Sequence, residues 1–249
     1  MHEGIHVSLA AEKLGDFFGI PITNTLVTSW IVIAILVSIA FIIGRSPKLI
    51  PSRFQILLEE IITYVHTFMR ETLDNDVVAR RYLPLLATLF LFIATSNLLE
   101  FTPGIGSIGF FEAGGEFVPL FRSVNTDLNV TLALAIIVVI VIEFAGIIAL
   151  GFWRYAGKFI NFTSPVNFIV GIIELVSEIS RLVSFSFRLF GNIFAGEVLL
   201  AVATYFVPYV LPSGLMGFEM FVGFVQAAVF ALLTLFFIKL AITDPHAAH

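Results

Sequence analysis

The 249-residue chain contains no cysteine. Disulfides and thiolate metal sites are excluded, and no redox signal is left to read. Charge is scarce too: 12% of residues are Asp, Glu, Lys or Arg, against roughly 25% in a soluble domain. With 59% hydrophobic residues and a mean hydropathy of +1.03, that scarcity excludes a soluble domain with a large core and identifies an integral membrane protein. There is no basic cluster, which argues against nucleic-acid binding. There is no glycine-rich phosphate loop, so no nucleotide site of its own is expected. The first 25 residues lack a basic stretch ahead of an apolar core and carry Glu3, Glu12 and Asp16, which argues against a cleaved signal peptide. No internal repeat or low-complexity tract is evident. His2, His6, His246 and His249 lie at the termini without metal-site spacing, so no metal or other cofactor is expected.

What the chain does have is a series of apolar runs of ~18–25 residues. These suit membrane-crossing helices rather than the ~10-residue alternating strands of a barrel. The expected fold is an all-α polytopic membrane protein, one membrane domain over 1–249, with five crossing helices and one amphipathic in-plane helix. After an outer segment at 1–25, helices are expected at 26–43, 82–100, 128–151, 164–206 and 214–243, with the in-plane helix at 52–71. The first is closed by Gly44-Arg45-Ser46-Pro47. In the in-plane helix, Phe54, Leu57, Leu58, Ile61, Ile62, Val65, Phe68 and Met69 make one stripe at 3–4 spacing. It is poor in Lys and Arg, so docking on a partner competes with binding anionic lipid. Asp127 is the expected N-cap of the 128–151 helix, so the triplet Asn129-Val-Thr131 reads as a helix start rather than a glycosylation site. The 151–163 connection reads as a polar loop, and Ser164-Pro165 supplies a cap and a first-turn proline. The 164–206 segment, at 1.5 Å per residue, would be ~63 Å long, about twice the hydrocarbon thickness. It must break near Gly191 or tilt steeply beside a partner. The tilt is the expected solution, with the last helix sharing it.

Lys and Arg set the orientation. Arg45, Lys48, Arg53, Arg70, Arg80 and Arg81 crowd the 44–81 connection, and Arg154 and Lys158 sit in the 151–163 connection. The 101–127 loop has only Arg122, and the 207–213 loop has none. The N-terminus is therefore expected outside and the C-terminus in the cytoplasm.

Within this apolar background the charges stand out. Arg188 lies deep in the run 184–192, although an arginine near a bilayer centre costs roughly 2.5–3.5 kcal/mol and cannot shed its proton. The depth order places Glu174, Glu178 and Glu143 in the inner half and Glu197 and Glu219 in the outer half, with Arg188 between them. Carboxylates in a partly hydrated site can take up and release protons, whereas an arginine blocks hopping between the clusters. Ser177, Arg181, Ser184, Arg188, Asn192 and Ala195 make a small, polar stripe on one face, suited to a close helix partner. No carboxylate of this chain falls opposite Arg188, so its counter-charge is expected on another chain. Arg181 reads as a structural ion pair with Glu178, Lys239 as a snorkelling residue, and Glu143 as either a packing group or an inner-channel residue.

The run Phe187-Arg188-Leu-Phe-Gly-Asn192, followed by Ala195-Gly196-Glu197, resembles subunit a of F-type ATP synthases. Asp127-Leu-Asn-Val-Thr131, Ser164-Pro165, Val225-Gln226-Ala227 and Ala231-Leu-Leu-Thr extend the resemblance over most of the chain. It implies a proton-translocating stator subunit without enzymatic activity of its own. Two offset half-channels would load and unload the carboxylate of the c-subunit ring, with peripheral-stalk b subunits, membrane lipid and the translocated proton as the other partners. It implies that Arg188 is the essential charge facing the c-ring. Glu197, Glu219, Asn192 and Gln226 match positions on the proton path, and Ser184 matches a small position beside the c-ring. Some bacterial relatives carry His at the position of Glu219, so the Glu here disfavours a His-based relay. The bacterial inner membrane is the implied location. The competing expectation, a self-contained ion channel or secondary transporter, needs an intrachain partner for Arg188 and often an inverted repeat.

Overall fold

The computed structural model describes residues 11–17, 19–45, 53–102, 108–111, 117–159 and 165–243. The expected cap Ser164, the start of the in-plane helix at Ser52, the 46–47 stop and the terminal histidines lie outside these residues. Among the described residues, seven α-helices dominate: α1 (Asn24–Gly44), α2 (Arg53–Leu73), α3 (Asp76–Glu100), α4 (Leu128–Leu150), α5 (Phe152–Phe159), α6 (Pro165–Phe206) and α7 (Val210–Ile242). Four of them, α1, α3, α4 and α7, are long and apolar enough to cross a membrane. The chain is thus a polytopic membrane protein whose spans are helical. Two antiparallel hairpins that the hydropathy pattern did not announce precede α1 and α4: β1 (Lys13–Phe17) with β2 (Ile20–Thr23), and β3 (Gly109–Phe111) with β4 (Phe117–Pro119).

Local chemistry sets the helix ends. Thr23 caps α1 by accepting from the backbone N–H of Leu26 at 3.3 Å. Asn75 caps α3 by accepting from Val77 and Val78 at 2.9 and 3.2 Å. That cap starts α3 at Asp76 rather than at 82, because charged residues in a first turn interrupt hydropathy without interrupting a helix. Gly151, at φ +83°, turns the chain out of α4. The connection from α4 to α6 is not a polar loop throughout: 152–159 forms the short helix α5.

The core lies where α3, α4, α6 and α7 meet. Leu86, Leu89, Ile93, Val138, Ile142, Phe185, Leu189, Ala227 and Phe230 form one buried cluster. Phe185 and Phe230 pack edge to face at 4.9 Å. Helix α2 joins this core through Met69 and Leu73, while Leu57, Ile61 and Ile62 on its earlier turns stay exposed. Among the described residues, the stripe is fully covered at Met69 and left open at Leu57, Ile61 and Ile62. Helix α6 runs 42 residues without interruption at Gly191, so its length is ~63 Å.

A buried polar knot ties α1 to α4. Asp127 accepts from the backbone N–H of Asn129 at 2.9 Å, as its expected capping role requires, and its other oxygen accepts from the Thr25 hydroxyl at 2.9 Å. Both Thr25 and Asp127 are buried. Losing the cap costs about 1 kcal/mol, and the Thr25 hydroxyl, which keeps its contact with the Thr23 hydroxyl at 3.1 Å, loses a bond to a charged acceptor worth about 1.5–3 kcal/mol. Asp127→Ala should therefore lower stability by roughly 2–4 kcal/mol, read as a lowered thermal midpoint in detergent, while Thr25→Ala in the Asp127→Ala background should add little. Full additivity of the two changes would show that the contact is not energetic.

Candidate functional site

Residues 185–196 of α6 divide cleanly by direction. Phe185, Leu189, Ile193 and Gly196 are buried, while Ser184, Arg188, Asn192 and Ala195 are exposed on an adjacent face that borders α7 at Asn192. This is the 3–4 alternation of a helix with one committed side. Arg188 projects from the open side. Its Nη2 donates to the Ser184 hydroxyl at 3.1 Å, and no carboxylate pairs with it among the described residues. The guanidinium is therefore held from below and left without a counter-charge.

Beyond Arg188 toward the C-terminal end of α6 lies a polar cluster. The Asn192 amide donates to the Gln226 carbonyl oxygen at 2.5 Å, joining α6 to α7. Gln226 is buried, and its Nε2 has no partner among the described residues. Glu219 is buried against Gly196. A Cβ at 196 would collide with the carboxylate, so that glycine creates the space Glu219 occupies. Glu197 accepts from Arg122 at 3.3 Å, and Arg122 is itself buried. Asn97 extends the polar lining: it donates to the Gly223 carbonyl at 2.8 Å and accepts from Asn125 at 2.6 Å. Glu100 lies within electrostatic reach of Glu197, Glu219 and Arg122.

The cluster toward the N-terminal end of α6 is built on α5. Lys158 reaches Glu174 at 2.5 Å and Glu178 at 3.6 Å, and Arg181 binds the other oxygen of Glu178 at 2.6 Å. Arg181 also stacks over Phe237 of α7, 4.1 Å from the ring centroid. Arg181 is thus paired with Glu178 as its spacing suggests, while Glu174 is taken by Lys158 instead. The buried Tyr155 ring fills the space left by Gly146. Its hydroxyl faces Glu143 and Glu178; burial, first, and those two carboxylates keep the phenol protonated well above its ordinary range. Ser184 sits between this cluster and Arg188, six residues beyond Glu178 and one turn before Arg188, whose hydrogen bond it accepts.

Along α6, Arg188 stands ten residues beyond Glu178 and nine before Glu197. At 1.5 Å per residue those separations are ~15 and ~14 Å. The two clusters are thus distinct, with an unpaired cation midway between them. Sequence reasoning does not single out Glu100, Arg122, Asn97, Asn125, Lys158 or Tyr155 as members of either cluster. A local signal exists only for Asn97, an amide late in an apolar run. Nothing local connects Arg122 to Glu197 or Lys158 to Glu174.

The Arg122–Glu197 contact is testable alone. The cation is buried and the carboxylate about a third exposed, so the pair falls between surface and buried ion pairs, with a coupling of about 1–3 kcal/mol. A double-mutant cycle of Arg122→Gln and Glu197→Gln on thermal stability should return that coupling. Strict additivity would place the two side chains out of contact.

Comparison with known proteins supports the same architecture. Residues 26–239 match the model of the family described as ATP synthase A chain. ATP synthase subunit a of Campylobacter jejuni subsp. jejuni serotype O:23/36 (strain 81-176) is 37% identical over 207 residues, covering 82% of this chain and 83% of the relative. That of Moorella thermoacetica is 33% identical over 219 residues, covering 88% and 90%. The relative from Propionigenium modestum, named as sodium ion specific, is 31% identical over 238 residues, covering 94% and 79%. With four apolar spans, a charged long helix and matches of this extent, the chain belongs to the ATP synthase A chain family, the non-catalytic membrane subunit a of F-type ATP synthases.

Proposed function

We propose that the chain is the stator half of a rotary proton path, in which Arg188 faces the carboxylate of a c-subunit ring. The observation that carries this reading is the exposed guanidinium of Arg188, unpaired among the described residues, between two partly buried polar clusters. In this reading α6 is the fifth crossing helix, and it lies steeply tilted along the ring with α7. The N-terminus is outside, the C-terminus is in the cytoplasm, and the membrane is a bacterial inner membrane. Peripheral-stalk b subunits hold the chain against the ring.

The outer half-channel runs past Glu219, Glu197 and the Asn192–Gln226 amide pair. The unpartnered Nε2 of Gln226 and the polar lining from Asn97 suit a hydrated passage. A proton delivered there neutralises a ring carboxylate, which can then enter the lipid phase. After rotation the carboxylate arrives at the inner cluster, where Glu178, Glu174 and Glu143 lead the proton out past Ser184. Lys158 and Arg181 fix Glu174 and Glu178 in place. Tyr155, protonated throughout, offers its hydroxyl to Glu143 and Glu178.

Arg188 has two tasks. It attracts each ring carboxylate that has lost its proton, and it stops protons from crossing directly between the clusters. Each charge that leaked would dissipate about 2.3 kcal/mol per 100 mV. A self-contained channel or transporter would pair Arg188 within the chain, and the geometry offers no such pair among the described residues.

Arg188→Ala should abolish ATP synthesis driven by a proton gradient in membrane vesicles while the complex still assembles and purifies intact. Coupled synthesis at the unmodified rate in that variant would refute the proposed role.

A further inference from the structure

Away from both clusters, a cavity of about 410 Å³ opens where helix ends meet. The turn between α2 and α3 contributes Asp74, the start of α3 contributes Val77 and Arg81, the last turn of α4 contributes Ile148, and the end of α7 contributes Lys239. Since α3, α4 and α7 are three of the apolar spans, their shared ends put this cavity at a membrane–water interface.

Two kinds of surface meet there. One is cationic. Lys239 pairs with Asp74 at 3.0 Å, but both side chains are solvated enough to share that charge with another ligand. Arg81 is exposed and makes no hydrogen bond or ion pair among the described residues. Together, Arg81, Lys239 and Asp74 leave one positive charge in excess. The other surface is apolar and open: Val77 is 71% exposed and Ile148 64% exposed, although both are large hydrophobic side chains lining the same cavity. A cation at the interface with an apolar wall beside it matches a phosphate headgroup with an acyl chain below it. The planar fork of Arg81 suits two phosphate oxygens at once. A zwitterionic headgroup would bring its own cation toward Arg81 and Lys239, so the excess charge selects lipids with net negative charge.

We propose that this cavity is a binding site for one anionic phospholipid. The phosphate would sit between Arg81 and Lys239 and an acyl chain along Val77 and Ile148. Bound there, the lipid would fasten the end of α2 to α3, α4 and α7. The assignment does not depend on the proton path or on which side of the membrane the cavity faces.

The test is native mass spectrometry of the assembled complex, purified and delipidated, then exchanged with phosphatidylglycerol or phosphatidylcholine. One tightly retained phosphatidylglycerol is expected, with no equivalent phosphatidylcholine. Arg81→Gln should cut its retention about fivefold, the effect of removing one interfacial cation. Val77→Asp, at an exposed first-turn position that tolerates an acidic residue, should do the same by placing a carboxylate in the cavity. Millimolar inorganic phosphate should not displace the lipid. Equal retention of phosphatidylcholine, indifference to both substitutions, or displacement by inorganic phosphate would each overturn the proposal, the last by assigning the cavity to a free anion.

Discussion

A guanidinium cannot be neutralised, so a helix that carries one through an apolar phase must leave it where another charge can answer. Helix α6 meets this constraint by burying Phe185, Leu189 and Ile193 and leaving Arg188 on the adjacent, open face. Among the described residues, the only group given to Arg188 within the chain is the Ser184 hydroxyl, which steadies the side chain without quenching its charge. The exposed side chains on that face, Ser184, Asn192 and Ala195, are small enough for another helix to approach closely.

The cations of the two clusters are each answered by a carboxylate within the chain, and this makes Arg188 distinct. Arg122 takes Glu197, Lys158 takes Glu174, and Arg181 takes Glu178. Small residues make the packing around them possible. Gly196 gives Glu219 its place, and Gly146 admits the Tyr155 ring. These two glycines serve the close approach of polar side chains between helices, not bends. The uninterrupted course of α6 past Gly191 shows the same point.

Much of this was legible in the sequence, for physical reasons that differ by feature. The apolar runs are long and uniform, so the helices of the membrane domain announce themselves. Asp127 could be placed as a cap because capping is local chemistry. The outward face of Arg188 followed from helical spacing alone. Three kinds of feature were not legible. The start of α3 at Asp76 is masked by charge, although charge does not break a helix. Helix α5 is too short for its period to rise above that of a loop, and its amphipathic face gains meaning only when Tyr155 and Lys158 meet α4 and α6. The partners of Glu197 and Glu174 lie on distant segments and depend on the packing of the whole bundle.

The central claim is that the open face of α6 receives a helix bearing the counter-charge of Arg188. The absence of cysteine from the chain allows a direct measurement. Single cysteines placed in turn at Ser184, Asn192 and Ala195, and at the buried Leu189 as control, would be crosslinked in membranes to single cysteines along the carboxylate-bearing helix of the c subunit. The account predicts zero-length crosslinks from 184, 192 and 195 that span the c-subunit carboxylate and stop rotation-coupled synthesis, and none from 189. Crosslinks from none of the three exposed positions, in an assembled and active complex, would contradict it.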